Sequence, residues 1–440
     1  MKTLLTVFLA TIALAWGWDI FYVAAAPQGA LPWLLRQQAL FLSGLWSICL
    51  MSLVMVLATR PVWLEKPLGG MDRMYRLHKW AGILAIVFAA GHWLLDLSGG
   101  LLKTMIGSTG KPPKFELSAL AQAARPLAKD LGEWIIYAML IMLVITLWKR
   151  FPYKFWRHLH RVMPPLYLGL VFHTVALAPP RYWTQPIGIL LAICLTAGTV
   201  ASVLPMTGFI GKRRKTHGSV VAVRRPAGNV TEVTCRLDHK WPGHRPGQFA
   251  FVTFDCAEGP HPFTIASAHR NDCTVSFMIK TLGDHTAQLA DTLAAGQAVT
   301  VEGPYGYFDF TRGDPQAKQV WIAGGIGITP FIAWLESLQD SAMRQYNADL
   351  HYFVRDADHD PFVKQLESLC AGLPGIRLYI HGHSARCTNA SDNLFKADIP
   401  QGRLEVWFCG PGGLADKVKN HFKDQLPRRF TFHQEAFEMR

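Results

Sequence analysis

Arg76-Leu77-His78-Lys79-Trp80 opens an apolar run that reaches Gly91-His92-Trp93, and Phe155-Trp156-Arg157-His158-Leu159-His160 opens a second that reaches Phe172-His173-Thr174. Each stretch reads as an apolar helix carrying two histidines. His78 and His92 are 14 residues apart. At 100° per residue they fall within about 40° of one another, on one face, separated by about 21 Å along the axis. One helix thus offers an imidazole at each of two depths. A partner helix offering the same pair could hold two haems, each between two imidazoles. A single histidine inside an apolar helix is usually a polar residue satisfied by one interhelical hydrogen bond; four at nearly equal spacing on two helices favour ligation. His160 and His173, 13 apart, would stand about 140° apart on a straight helix. Pro164-Pro165 lie between them and could kink or rewind it. His158 is a rival for His160, about 60° out of phase with His173.

Working outward, the chain of 440 residues divides by composition. Residues 1–210 are mostly long apolar runs, with candidate spans near 3–25, 38–59, 77–97, 134–148, 162–179 and 184–205. The first also resembles a signal peptide, with Lys2 and Ala24-Ala25-Ala26, but Trp16–Tyr22 extends it past a usual signal core and a retained helix is expected. Lys and Arg orient the spans: Arg60, Lys66, Arg73 and Arg76; Lys149, Arg150, Lys154, Arg157 and Arg161; and Lys212–Lys215 all belong on the cytoplasmic side. The loop 98–133 is basic too and resists this scheme; its middle, Glu116–Leu131, is read as a surface helix. In that orientation His78 and His160 share the cytoplasmic end, and His92 and His173 the outer end. The net charge of +13 follows from these flanks and from binding anionic dinucleotides better than from nucleic acid. Eight cysteines form no C-x-x-C, which argues against a zinc site, an iron–sulfur site or a disulfide framework.

Residues 216–440 read as a soluble β-rich and then α/β protein. Strands are expected at Ser219–Val223, Val230–Leu237, Phe249–Phe254 and Thr274–Lys280, with the stretch His261-Pro262-Phe263-Thr264 among them. Gly283-Asp284-His285-Thr286 precedes a helix over 286–294, whose free amides suit a phosphate. Gln319–Ala323 leads through Gly324-Gly325-Ile326-Gly327-Ile328-Thr329-Pro330 into a helix, the strand–glycine turn–helix pattern that admits a pyrophosphate. Strands at Asp349–Val354, Arg377–Ile380 and Glu405–Cys409 alternate with helices, arguing a doubly wound parallel sheet. Cys409-Gly410-Pro411 ends the last of them.

Together these residues resemble the NADPH oxidase / ferric reductase superfamily, whose members join a six-helix, two-haem membrane domain to a ferredoxin-NADP reductase-like module. The resemblance covers nearly the whole chain and implies three domains: a membrane all-α six-helix haem bundle at 1–210, an antiparallel β-barrel FAD domain at 216–315, and an α/β doubly wound NAD(P)H-binding domain at 316–440. It implies two haem b groups on the metal ligands His78, His92, His160 and His173. FAD contacts are implied at Arg245, His261, Pro262, Phe263, Thr264, Lys280, Gly283 and Thr286. Dinucleotide contacts are implied at Gly324, Gly325, Gly327, Thr329, Pro330, Cys409, Gly410 and Pro411. Phe437 resembles the aromatic that stacks on the flavin until nicotinamide displaces it, and it joins Cys409 at the reacting centre. No EF-hand pattern precedes the first span, so calcium gating is not expected, and the 98–133 loop lacks the cysteine pair of some animal oxidases.

The activity so implied is electron transfer from cytoplasmic NAD(P)H, through FAD and the haems, to an acceptor at the outer face: oxygen, a ferric chelate, quinone or a protein. The location so implied is a bacterial-type inner or plasma membrane, with the FAD/NAD(P)H module on the cytoplasmic side. The alternatives are a haem-bearing subunit serving a periplasmic partner enzyme, and a flavin reductase merely anchored in the membrane, its histidines structural. Arg73, Arg76, Arg157 and Arg161 are candidates for haem propionates, though topological charge is the simpler account. Arg355, at the end of the strand Asp349–Val354, could fork onto a 2′-phosphate and favours NADPH; Asp356 beside it leaves NADH possible.

Overall fold

The computed structural model describes residues 2–23, 29–113, 119–148, 150–226, 229–255, 258–281, 284–340, 346–383, 403–425 and 430–435. It divides into two compact units, one built on Arg73–Ile210 with the helices before them, the other on the chain from Gly211.

The first unit is helical: α1 (Lys2–Trp18), α2 (Leu31–Ala58), α3 (Val62–Leu68), α4 (Met71–Ile106), α5 (Ala119–Leu147), α6 (Tyr153–His160), α7 (Met163–Leu177) and α8 (Pro186–Met206). Among the described residues, five helices are long and apolar enough to cross a membrane; α7, with 15 residues, falls short of that length. Exposed Leu14, Val87, Leu101, Ile141, Val144 and Ile189 give the unit an apolar exterior, as a lipid solvent requires.

Two expectations change here. The separate surface helix over Glu116–Leu131 does not form. From Ala119 its residues are the first turns of α5, which runs on through Pro126 into the fourth span; Arg125, Lys129, Asp130 and Glu133 lie along that one helix, while Lys103 belongs to α4. His160 and His173 are also not on one kinked helix. The chain breaks at Arg161–Val162, and Pro164-Pro165 fall in the first turn of α7, where a missing amide hydrogen costs nothing. The phase argument across 13 residues therefore lapses, since the two histidines are positioned independently.

The second unit holds two sheets. β1 (Lys215–Arg224), β2 (Val230–Leu237), β3 (Phe249–Thr253), β4 (His261–Thr264), β5 (Thr274–Lys280) and β6 (Ala298–Tyr305) form a six-stranded antiparallel sheet in the order β4-β3-β6-β1-β2-β5. The chain just past β4 meets β5 in an isolated bridge, Ile265–Phe277, so the two edges of this sheet approach one another. Helix α9 (Asp284–Thr292) follows β5. The strict alternation of half-buried and buried residues along β5 shows one face turned to a core of Val220, Val233, Phe277 and Val301.

The second sheet is parallel. β7 (Lys318–Gly324), β8 (Ala348–Asp356), β9 (Ile376–His383), β10 (Leu404–Cys409) and β11 (Phe430–Glu435) lie in the order β11-β10-β7-β8-β9, with α10 (Thr329–Gln339), α11 (Val363–Ala371) and α12 (Gly412–Gln425) as crossovers. Strands buried on both faces read as continuous apolar runs, and β10 is buried at every position. One core centres on Trp321, Trp334 and Trp407, with Phe308 stacked on Trp334 at 4.8 Å. The Trp334 indole donates to the Pro246 carbonyl at 3.1 Å and the Glu336 carboxylate accepts from the Ala268 amide at 3.1 Å, so α10 is tied to both ends of the β3–β4 region. The strand β11 was not anticipated; its exposed and half-buried residues alternate too weakly.

Candidate functional site

Four imidazoles form two facing pairs in the helical unit. The His78 and His160 ring centroids are 6.2 Å apart, tilted by 48°. Those of His92 and His173 are 6.3 Å apart, at 78°. A bond of about 2 Å from a metal to each imidazole nitrogen, plus about 1.1 Å from nitrogen to ring centre, puts two opposed rings about 6.2 Å apart. Both pairs match that spacing. His160, not His158, supplies the ring facing His78.

The hydrogen bonds fix which nitrogen is free. His78 Nδ1 bonds the Val54 carbonyl at 3.1 Å, His92 Nδ1 the Leu40 carbonyl at 2.8 Å and His173 Nδ1 the Ala128 carbonyl at 2.8 Å. A carbonyl can only accept, so Nδ1 carries the hydrogen and Nε2 keeps its lone pair. That is how ligand imidazoles are oriented in metal sites. His160 has no such bond among the described residues; its ring lies 5.1 Å from that of Trp156, whose indole donates to Thr146 Oγ1 at 2.9 Å. Among the described residues no cluster of three or more His, Cys, Asp or Glu is arranged to hold a metal ion. Pairs, rather than clusters, would suffice to hold haem, and the spacing of all four histidines and the tautomer of three of them fit that group. The carbonyls of Leu40, Val54 and Ala128 escaped the sequence reading, because a backbone acceptor leaves no signature in side-chain identity.

In the second unit the glycine turns meet at the carboxyl edge of the parallel sheet. β7 runs to Gly324, continues through a tight turn at Gly325–Ile328 and enters α10 with Pro330 in its first turn. β10, its sheet neighbour, ends at Cys409. A Cβ added to Gly327 would stand 2.6 Å from the Cys409 carbonyl carbon and 2.9 Å from the Gly410 amide nitrogen. One added to Gly324 would stand 2.7 Å from Pro411 Cδ. The two turns thus pack backbone against backbone, which only glycine permits. From β7 the chain winds outward to β8 and β9, then returns to place β10 on the other side. The contact between the turns marks that reversal, where open α/β sheets bind their ligands. Gly325 has φ +56°, and a Cβ there would lie 3.9 Å from Lys280 Nζ, so the cation at the end of β5 stands over the turn.

Other predicted residues are placed as follows. His261–Thr264 form β4, paired with β3, with all four residues half-buried. Arg245 is exposed beside Asp309 at 3.6 Å. Thr286 lies in α9; Gly283 and Phe437 lie outside the described residues. Thr329 Oγ1 donates to the Ile326 carbonyl at 2.6 Å, closing the turn. Burial pushes the Cys409 thiol well up, and the Glu435 carboxylate on β11 adds to the effect, so Cys409 stays protonated. Arg355 is exposed at the end of β8. Asp356 next to it is committed, with its carboxylate 2.7 Å from His359 Nδ1 and accepting from the Asp358 amide.

Comparison with known proteins agrees with this division. A family described as the ferric reductase like transmembrane component matches residues 43–171, and one described as an FAD-binding domain matches residues 216–309. The vanillate O-demethylase oxidoreductase of Pseudomonas putida is 27% identical over 149 residues, 34% of this chain and 44% of that protein. The probable ferric reduction oxidase 1 of Arabidopsis thaliana is 41% identical over 88 residues, 18% of this chain and 12% of that protein. The chain spans about half the length of the first curated relatives it matches. Among solved structures, a cytochrome P450 reductase of Amycolatopsis aligns with a TM-score of 0.44 at 23% identity, covering 51% of this chain and 70% of that one.

Proposed function

We propose that this chain, a member of the NADPH oxidase / ferric reductase superfamily, is a transmembrane oxidoreductase that carries electrons from cytoplasmic NAD(P)H to an acceptor at the outer membrane–water interface. The observation that carries the reading is the pair of facing imidazole couples, each with its ring centroids 6.2–6.3 Å apart, on a unit whose helices can cross a bilayer. His78 and His160 would hold one haem b, and His92 and His173 the other. FAD, when bound, converts a hydride pair into single electrons, and haem iron accepts and releases electrons singly.

The remaining roles belong to the protein. The turns at Gly324–Pro330 and Cys409–Pro411 give the dinucleotide a backbone surface to lie against, with Lys280 supplying positive charge. Thr264 and its neighbours in β4, with Arg245, orient the flavin. Arg355 binds the 2′-phosphate, so NADPH is preferred over NADH. Phe437 covers the flavin and yields to nicotinamide. The histidine carbonyl bonds hold Nε2 in position and make the imidazoles better electron donors.

The acceptor is oxygen, giving superoxide, or ferric iron. A second reading, in which the chain hands electrons to a periplasmic partner enzyme, is favoured by the names of several relatives, such as the toluate 1,2-dioxygenase electron transfer component of Pseudomonas putida. The test is the full chain in sealed vesicles, given NADPH on the side of the soluble unit and a membrane-impermeant ferric chelate on the other. Reduction of the chelate across an intact bilayer supports transmembrane transfer. Reduction only when the chelate shares the NADPH compartment contradicts it. With oxygen as the sole acceptor, superoxide without a partner protein separates the oxidase from the relay.

A further inference from the structure

The two carbonyls that receive the His92 and His173 hydrogens share a sequence relation. Leu40 is followed four residues later by Gly44, and Ala128 four residues later by Gly132. In an α-helix the carbonyl of residue i already accepts from the amide of residue i+4, so each imidazole adds a bond to an occupied carbonyl, and that of Leu40 also accepts from Ser43 Oγ at 3.1 Å. Side chains on a helix point toward its N-terminus and cover the turn before their own Cα. The residue at i+4 therefore overhangs the carbonyl that a ring must approach.

At both places that residue is glycine, and both rings fill the space a Cβ would take. A Cβ on Gly44 would stand 3.0 Å from His92 Nδ1 and 3.1 Å from its Cε1. A Cβ on Gly132 would come closer still to His173 Nδ1, and 2.6 Å from Cε1. The obstacle in each case is an aromatic ring tied to a carbonyl through Nδ1, not the loose end of a flexible chain. The other couple is built differently. His78 bonds the Val54 carbonyl at the longer distance of 3.1 Å, and the residue four places on is Ala58, which is exposed.

We propose that Gly44 and Gly132 are positioning residues for the His92/His173 couple: each leaves open the face of a helical carbonyl that seats the imidazole Nδ1–H, and so presents Nε2 to the metal. The inference rests on the proposed haem ligation. Because the seat acts through the Nδ1 bond, losing it would make the ligand a weaker donor and turn the ring. One haem would then change its midpoint potential and its low-spin electron paramagnetic resonance signature while the other kept both.

The experiment compares Gly44→Ala, Gly132→Ala and Gly91→Ala in the full chain, purified with its haems. Gly91 adjoins His92 on α4 and a Cβ there meets nothing within 4 Å, so it controls for the substitution itself. The expected result is a positive shift of one midpoint potential, with a changed signature for that haem, in Gly44→Ala. In Gly132→Ala the same change is larger, or half the haem is lost. Gly91→Ala matches the wild type. Should Gly132→Ala fail to accumulate, Gly44→Ala carries the test, its clash being the milder. Potentials and signatures identical to wild type in Gly44→Ala, or equal changes in both haems, overturn the proposal. Wild-type protein that purifies without haem overturns the functional reading itself, and this inference with it.

Discussion

The two units solve the placement of a site in opposite ways. In the helical unit the proposed working groups are side chains, four imidazoles, three of which bond carbonyls of neighbouring helices. In the second unit the proposed working surface is backbone, two glycine turns in mutual contact, with the side chains of Lys280 and Thr329 at its edge. A side-chain site tolerates no change of the ligating residue but some change nearby. A backbone site tolerates no added atom at the contact, whatever its chemistry.

The contrast yields its largest expected effect at the histidines. His92→Ala or His173→Ala should leave one haem where the wild type carries two and stop transfer across the membrane, while NADPH still reduces flavin and a soluble dye. Haem content and dye reduction measured on one preparation decide it; two haems retained in either variant break the ligand assignment. His158→Ala should retain both haems, since His160 is the ring that faces His78.

Next in size is Gly327→Ala. One methyl group would have to displace the Cys409–Gly410 backbone, and overpacking of this kind costs about 1–3 kcal/mol. The dissociation constant for NADPH should rise about tenfold, since a factor of ten is about 1.4 kcal/mol, with haem content unchanged. Unaltered binding would show that the two turns do not form the dinucleotide surface.

Arg355→Ala sharpens the side-chain share of that site. One charge-assisted hydrogen bond contributes about 1.5–3 kcal/mol, so the NADPH Michaelis constant should rise at least about tenfold with NADH nearly unaffected. Equal weakening of both dinucleotides, or a wild type that uses NADH as well as NADPH, would remove the 2′-phosphate role from Arg355.

The smallest effect concerns pH and the second unit alone. His351 and His381, on β8 and β9, stack with Nδ1 to Nε2 at 3.0 Å, and burial lowers both to about 4. The unfolded chain takes up protons near pH 6.5 while the folded one stays neutral. The stability these two contribute is therefore complete above pH 6.5 and falls between 6.5 and 4, by at most about 2.7 kcal/mol per pH unit if both titrate freely. A melting transition of the second unit that falls over that window, and flattens in the His351→Leu/His381→Leu variant, is expected; an unchanged slope in the variant would place the acid sensitivity elsewhere.

Legibility in sequence follows the same contrast. Histidines inside apolar runs are conspicuous, because lipid-facing helices carry few polar residues, so the four ligand candidates and their pairing by depth could be read directly. Their supports could not, since Leu40, Val54 and Ala128 contribute only carbonyls and Gly44 and Gly132 contribute only the lack of a side chain. The break at Arg161–Val162 was foreshadowed by Pro164-Pro165, but prolines equally allow a kink, and only the fold shows two helices. In the second unit the glycine turns and strands were visible one at a time. That Gly324–Gly327 touches Cys409–Gly410 depends on β10 returning beside β7, a long-range pairing that local pattern does not encode. The start of α5 reads as a separate surface helix because Arg125, Lys129, Asp130 and Glu133 set it apart from the apolar run that follows, whereas one long helix carries both.

The central claim is that two imidazole couples hold two haems within reach of electrons from NADPH. An anaerobic titration of the purified full chain with NADPH, followed in the Soret and α bands alongside haem quantitation, tests it most directly. The account predicts two low-spin haems per chain, both reduced by NADPH without any added mediator. A chain with no Soret band, or with haems that NADPH leaves oxidised while its flavin is fully reduced, would contradict it.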